Sequence, residues 1–222
     1  MLFIVSTPIG NLSDITLRAI EVLRQSELVL AEDTRTALKL FARHNIRAPL
    51  MSYNEHNEQL RISQAMPLLR EGKSVSLISE SGTPLISDPG YRLVRECSIN
   101  QIQIVPVPGP SAILAALVVS GMPTDSFIFQ GFLPKGEGKR KNLLKSLSEN
   151  KKTMIFYESP HRIHKTIKAI AELLPSWGIA VCRELTKKYE EVIRGTVEDV
   201  SKRILSSEPR GEYVLVLSPK GP

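Results

Sequence analysis

Cysteine is scarce in this chain: Cys97 and Cys182 are the only two in 222 residues. Two cysteines at this length make no disulfide framework. Cys97 lies in a helix-like stretch and Cys182 in a strand-like one, and both are expected as small buried hydrophobes. Long apolar runs are missing as well. The longest candidate, residues 112–119, falls far short of the ~20 residues that span a bilayer. The N-terminus passes directly into Leu2-Phe3-Ile4-Val5 with no basic flank, which reads as a buried strand and not a signal peptide. A cytoplasmic protein without a membrane span is expected. No G-x-G-x-x-G follows the first apolar run, and no G-x-x-x-x-G-K-[ST] loop occurs, so dinucleotide and nucleoside triphosphate sites are unsupported. No G-x-S-x-G elbow supports a serine hydrolase. His161 and His164 stand three apart beside Glu158, but with no second ligand cluster no metal is expected. Internal repeats and low-complexity tracts are also absent.

What is present is an uneven charge. Residues 1–110 hold eleven basic and eleven acidic side chains, so the net +6 of the chain lies wholly in residues 111–222. Within that half, residues 135–152 carry Lys135, Lys139, Arg140, Lys141, Lys145, Lys151 and Lys152 against Glu137 and Glu149. Such a cluster suits a polyanion, the bland alternative being a solvated helix face.

With 42% hydrophobic residues the chain has enough apolar surface for one large domain or two small ones. Strand-like runs fall at 2–6, 28–31, 75–78, 102–105, 127–132, 153–157, 179–183 and 213–217. Between them lie helical patterns. Ile15, Ala19, Val22 and Leu23 form one stripe, with Ser13 or Asp14 as its expected N-cap. Ile62, Ala65, Met66 and Leu69 form a second, in which Pro67 predicts a kink or a late start. A third, Ile163, Ile167, Ile170, Ala171 and Leu174, is expected to be capped by Ser159, with Pro160 in its first turn and Pro175 stopping it. The alternation implies an α/β fold. The charge change and the Gly121-Met122-Pro123-Thr124 stretch suggest two α/β domains, 1–115 and 116–222.

Four segments concentrate Gly, Pro, Ser and Thr after strand-like runs: 6–12, 79–90, 106–112 and 157–160. Each alone is compatible with an ordinary turn. Together they fit a ligand site, because open α/β sheets bind at the carboxyl ends of their strands. Glycine there permits close backbone approach, and proline sets the loop shape in advance.

The strings Ser6-Thr7-Pro8-Ile9-Gly10-Asn11-Leu12-Ser13-Asp14-Ile15-Thr16, Ala31-Glu32-Asp33-Thr34-Arg35, Gly82-Thr83-Pro84-Leu85-Ile86-Ser87-Asp88-Pro89-Gly90-Tyr91, Phe156-Tyr157-Glu158-Ser159-Pro160-His161-Arg162 and Arg183-Glu184-Leu185-Thr186-Lys187 occur in order. In these the chain resembles the small-subunit (16S) ribosomal RNA cytidine 2′-O-methyltransferase family of the tetrapyrrole-methylase superfamily, from residue 1 to about 218. The loop Ser79-Glu80-Ser81-Gly82 departs conservatively from the usual Ser-Asp-Ala-Gly. Longer members of that family carry a further C-terminal segment thought to help grip RNA, whereas this sequence stops at Pro222.

The resemblance implies a homodimer of two-domain α/β subunits with S-adenosylmethionine in the cleft between the domains, acting on ribosomal RNA or the small subunit. It also implies a cofactor set: Pro8, Ser79, Glu80, Ser81, Gly82, Leu85, Ile86, Ser111 and Ala112 from the first domain. From the second come Glu158, Ser159, Glu184, Leu185, Glu212 and Tyr213. For catalysis Glu158 and Glu184 are base candidates, and Lys187 and Arg162 candidates for holding phosphate or alkoxide. Glu32, Asp33 and Arg35 are an alternative acceptor-side cluster. RNA contacts are expected at Lys135, Lys139, Arg140, Lys141 and Arg35. Two rival readings stay open: a methyltransferase acting on a tetrapyrrole, and a non-catalytic RNA-binding module.

Overall fold

A computed structural model describes residues 1–221. The chain divides into two compact units, Met1–Ser111 and the residues from Ala112 onward.

The first unit alternates strand and helix: β1 (Leu2–Val5), α1 (Leu17–Gln25), β2 (Leu28–Ala31), α2 (Thr34–His44), β3 (Leu50–Ser52), α3 (Glu58–Arg70), β4 (Val75–Ile78), α4 (Tyr91–Ile99) and β5 (Ile104–Val107). The strands form one parallel sheet in the order β3-β2-β4-β1-β5. Its central strands are apolar except at Ser76 of β4, because both faces are covered. On one face Leu28, Leu30, Val75 and Leu77 pack with Ile62, Ala65, Met66, Leu93 and Cys97 of α3 and α4. On the other, Val29, Ala31 and Ile78 pack with Ala19, Leu23, Ala37, Leu40 and Phe41 of α1 and α2. The alternation of neighbours within β2 and β4 is the period-2 geometry of a strand.

The second unit contains α5 (Ala112–Ser120), β6 (Phe127–Phe132), α6 (Glu137–Ser148), β7 (Thr153–Glu158), α7 (Ile163–Leu173), β8 (Gly178–Arg183), β9 (Glu191–Thr196), α8 (Val197–Leu205) and β10 (Tyr213–Ser218). Its sheet order is β6-β7-β10-β8-β9, parallel between β6 and β7 and antiparallel elsewhere. Helices α6, α7 and α8 bury Leu144, Ile163, Ile167, Ile170, Val200 and Ile204 against Met154, Phe156, Val181 and Leu215. The helix α5, which spans position 115, packs with β8, β9 and β10 of this unit. The thiols of Cys97 and Cys182 are both free and buried.

Several local expectations are corrected. The strand expected at 102–105 is β5, two residues later, and includes Pro106. Proline is tolerated there because β5 is an edge strand. Strands β3 and β9 gave no sequence signal. One has three residues, and the other mixes Glu191, Arg194 and Gly195 into its run. Both are edges, where one backbone side needs no partner and the apolar pattern thins. The cap of α1 is Thr16, whose hydroxyl accepts from the Ala19 amide at 3.1 Å. Ser13 and Asp14 belong instead to a short 3-10 turn capped by Asn11. Helix α3 runs through Pro67 to Arg70, with the proline in its last turn. Ser159 and Pro160 precede α7 in a turn: the Ser159 carbonyl accepts from the amides of Arg162 and Ile163, and Arg162 is the N-cap position.

Thr16→Ala should therefore cost about 1 kcal/mol of stability, the usual worth of an N-cap. Ser13→Ala should cost almost nothing. Chemical denaturation of the two variants checks this, and equal losses would mean that the cap is not where the hydrogen bond indicates.

Candidate active site

In the first unit every strand is parallel, so the segments following β1, β2, β3, β4 and β5 emerge at one edge of the sheet. Three of them are tied together. The Thr7 amide donates to the Gly82 carbonyl at 2.8 Å, and the Gly82 amide donates back to Thr7 at 3.1 Å. The Ser6 and Thr83 hydroxyls are hydrogen-bonded at 3.0 Å, and Thr83 donates on to the Pro110 carbonyl at 3.3 Å. The loops 6–12, 79–90 and 106–112 are thus one cross-linked assembly, carrying the expected residues Pro8, Ser79, Glu80, Ser81, Gly82, Leu85, Ile86 and Ser111.

Within 79–90 the backbone is strained. Leu85 and Ser87 take φ of 72° and 69°, a region that non-glycine residues rarely adopt. Such strain costs about 1–3 kcal/mol per residue and tends to gather at ligand clamps. Gly90 (φ 136°) permits the close of the loop, since a Cβ there would stand 2.7 Å from the Leu77 side chain.

The same edge is acidic. Glu32 follows β2, and Glu80 and Asp88 lie in the loop after β4. Burial, together with the nearby Glu32 and Glu80 carboxylates, pushes Asp88 from its ordinary 3.8 up to about 7, against a hydrogen bond with Ser79. Burial also raises Glu32, opposed by the Glu80 amide and reinforced by the charges of Glu80, Glu55 and Asp33. Asp33 is different: its hydrogen bonds with Arg35 hold it down to about 2. It also caps α2 through the Arg35 amide at 2.7 Å. Arg35 is exposed but already forks onto Asp33 at 2.6 Å, a local pair and not an isolated phosphate ligand.

In the second unit the end of β7, the end of β8 and the starts of β9 and β10 share one sheet edge, as the pairings Tyr213↔Glu158, Tyr213↔Arg183 and Arg183↔Glu191 require. The structure brings Glu184, Lys187 and Glu212 together there. Lys187 Nζ donates to Glu184 Oε1 at 2.9 Å and to Glu212 Oε2 at 2.7 Å. Glu184 Oε1 also accepts from the Glu212 amide at 3.0 Å. Burial would lower the Lys187 pKa, but Glu212 and Glu184 hold it above the ordinary lysine value. Burial would raise Glu184, but Lys187 and the Glu212 amide bring it below the ordinary carboxylate value. Both groups are therefore held charged. Glu184 sits at φ 51° and packs onto Gly211, where a Cβ would come within 2.5 Å of the Glu184 Cγ. Ser159, Leu185 and Tyr213 lie along the same edge.

Glu158 and Arg162 do not fit the catalytic roles expected of them. The Glu158 side chain is 0% exposed. Its Oε1 accepts from the Ser159 amide at 2.8 Å and its Oε2 from the Thr166 hydroxyl at 2.5 Å. Arg162 faces Glu158 at 3.4 Å and donates to the Leu133 carbonyl. A carboxylate sealed in this way has no free edge for a substrate proton. The pair fastens the loop after β7 to α7 and β6.

Arg140 is corrected likewise: it is 4% exposed, and its guanidinium donates to the carbonyls of Pro134 and Lys135. Lys141 is paired with Glu137 and Glu172. Lys135, Lys139, Lys145, Lys151 and Lys152 remain exposed. His164 lies against the carbonyls of Ile204 and Ser207 at the end of α8. Among the described residues no group of three or more His, Cys, Asp or Glu is arranged to hold a metal ion. Sequence reasoning missed Asp88 as a perturbed group, although the motif containing it was in view. It also missed Thr166, which has no motif signal.

The family of tetrapyrrole (corrin/porphyrin) methylases matches residues 1–201. Ribosomal RNA small subunit methyltransferase I of Thermotoga maritima is 47% identical over 219 residues, covering 99% of this chain and 98% of that protein. The Bacillus subtilis protein of the same name is 44% identical over 217 residues, 98% of this chain and 74% of that one. Among solved structures, a cobalt precorrin-4 methyltransferase of cobalamin biosynthesis superposes with a TM-score of 0.71 at 20% identity, covering 98% and 94% of the two chains. A uroporphyrin-III C-methyltransferase from Thermus thermophilus, in complex with S-adenosylhomocysteine, gives 0.66 at 16% identity over 98% and 96%. These two are alike in fold.

Two predictions follow from the geometry. Asp88 keeps its proton in the folded state up to about pH 7, whereas the unfolded chain loses it near 3.8. The folded state binds more protons across that window, so stability of the ligand-free protein should fall as pH rises through it. Asp88→Asn should flatten this slope and raise the melting temperature at pH 8. In the second unit, Thr166→Val should cost roughly 1–3 kcal/mol by leaving a buried Glu158 oxygen unpaired. A melting temperature equal to wild type would remove the fastening role of Glu158.

Proposed function

The chain belongs to the ribosomal RNA small subunit methyltransferase I family of the tetrapyrrole methylases, and from that premise we propose that it methylates 16S ribosomal RNA with S-adenosylmethionine, at the 2′-hydroxyl of a cytidine. The observation that carries this reading is the near full-length identity of 47% to a ribosomal RNA methyltransferase. The 16–20% identity to tetrapyrrole enzymes supports no more than a common fold.

The residues of the first unit fit such a cofactor. Three cross-linked loops, one of them strained at Leu85 and Ser87, present backbone and small side chains for close approach. The edge carrying Glu32, Glu80 and Asp88 disfavours nucleotide phosphates and favours a ligand with an ammonium and a sulfonium. Bound there, S-adenosylmethionine supplies an already activated methyl group. The task left to the protein is alignment, exclusion of water and management of the acceptor proton. Pro8, residues 79–82, Leu85, Ile86 and Ser111 are the proposed cofactor contacts of the first unit, followed by Ala112, the first residue of the second. Ser159, Leu185 and the backbone at Glu212 and Tyr213 are those of the second.

A ribose hydroxyl is a poor nucleophile, so a nearby cation or base lowers its barrier. Lys187, kept protonated by two carboxylates, suits stabilisation of developing oxyanion charge. Glu184, kept ionised, suits acceptance of a proton. Glu158 acts one step removed by holding its loop. The exposed lysines of and beside α6 supply the polyanion surface. An assembly of two copies and a cytoplasmic setting, where ribosomes are made, complete the proposal.

Incubation with labelled cofactor and either small ribosomal subunits or tetrapyrrole precursors tests it. Label should enter RNA and survive on the ribose after nuclease digestion. Label on a base would defeat the 2′-hydroxyl assignment, and label only in the tetrapyrrole would defeat the substrate. Glu184→Gln and Lys187→Ala should each slow single-turnover transfer, by roughly 100- to 10,000-fold for a true general base. Near-normal rates in both would leave alignment as the whole of catalysis.

A further inference from the structure

The first unit is neutral by count, yet its charges are sorted in space. Glu32, Asp33, Glu55, Glu80 and Asp88 follow β2, β3 and β4 at the ligand edge. Arg35 is the partner of Asp33 at that edge, and Arg61, Arg70, Arg92 and Arg95 lie on α3 and α4. A surface groove of about 610 Å³ runs between α3 and α4, lined by Arg70, Arg92 and Arg95 over an apolar floor that includes Ile62, Met66 and Ile99.

The carboxylates near this groove are engaged. Glu58 is buried, accepts from the Tyr53 hydroxyl at 2.6 Å and faces Arg92 at 3.4 Å. Glu96, the one acidic residue in the lining, accepts from the Asn100 amide at 3.0 Å. Arg70 is steadied by the Asn100 carbonyl oxygen at 3.0 Å, which leaves other donors of its fork unused. The Arg95 side chain makes no hydrogen bond or ion pair among the described residues and is exposed. The groove is therefore positive, and part of its charge is unspent.

Topology gives it a direction. Helix α4 starts where the loop after β4 ends, on the ligand edge, and closes at Ile99, before β5 begins at the opposite edge. Its nine residues span about 13 Å, so Arg92 stands nearer the ligand edge and Arg70, at the end of α3, farther back. Planar guanidiniums suit phosphate oxygens, and an apolar floor between them suits sugar and base faces better than an isolated small anion.

We propose that the α3–α4 groove binds the phosphodiester backbone of the RNA substrate, as a second polyanion site beside the lysines of α6. This rests on the reading of the protein as an RNA methyltransferase.

The test uses the full chain and protein-free small-subunit ribosomal RNA, with affinity measured against salt. Arg95→Ser removes a side chain that holds nothing in the fold. It should lower the slope of log affinity on log salt by about 0.7, the value of one phosphate contact on a single strand. Arg70→Ser with Arg95→Ser should lower it by about 1.4 on the same basis. The KM for RNA should rise, while kcat and S-adenosylmethionine affinity stay at wild type. Lys39→Ser, on α2 across the sheet, should leave all of these unchanged. An unaltered slope in both arginine variants overturns the groove as an RNA site while leaving the methyltransferase reading intact. A shift in oligomeric state in place of a change in slope also overturns it, in favour of a second copy in the groove. Failure of the wild type to bind or methylate RNA would instead remove the reading on which the proposal stands.

Discussion

The paired backbone hydrogen bonds between Thr7 and Gly82 are the hinge on which the first unit's chemistry depends. A parallel sheet delivers its loops to one edge but does not shape them. The Thr7–Gly82 bridge, extended by Ser6 to Thr83 and by Thr83 to Pro110, locks three loops into one body. Only a body of that kind can hold Leu85 and Ser87 at positive φ, a conformation that a free loop would relax. The carboxylates Glu32 and Asp88 are carried by the same edge. Their raised pKa values record burial first and the nearness of other carboxylates second, both of which the free loops would avoid by spreading apart.

The second unit solves a different problem with similar residues. Glu158 and Glu184 stand at strand ends along one edge, yet one is sealed and the other is not. Glu158 lies inside the unit, its two oxygens satisfied by an amide and a hydroxyl. That arrangement suits a fastener, because a buried carboxylate survives only if its hydrogen bonds are complete. Glu184 is half-buried in a network with Lys187 and Glu212, where the charge of Lys187 and those of the two carboxylates maintain one another. Chemistry that needs a charged side chain near a polar substrate finds it in the second group.

Charge is sorted at a larger scale too. In the first unit Glu32, Asp33, Glu55, Glu80 and Asp88 meet at the ligand edge while Arg61, Arg70, Arg92 and Arg95 lie on α3 and α4, although the linear sequence interleaves them. In the second unit the basic run 139–141 splits. Successive helix residues turn by about 100°, so Lys139 meets solvent, Arg140 enters the core to bind loop carbonyls, and Lys141 reaches Glu172.

By itself the sequence determined the α/β class, the central strands and the glycine- and proline-rich loops. Continuous apolar runs such as 2–5 and 28–31 have no stable home except a strand covered on both faces, and Gly, Pro, Ser and Thr after such runs have few uses besides tight ligand-edge turns. It also carried the family resemblance, since the motifs are local strings. Tertiary structure decided the rest. The edge strands β3 and β9 exist because a neighbour offers hydrogen bonds, not because their own pattern demands it. Thr16, not Ser13, caps α1 because only its hydroxyl meets an unpaired helix amide. Whether Glu158, Arg140 or Lys187 is fastener, core prop or reactive group depends on what packs around each. Burial and hydrogen-bond completeness are properties of the folded neighbourhood, which no single residue or local spacing contains.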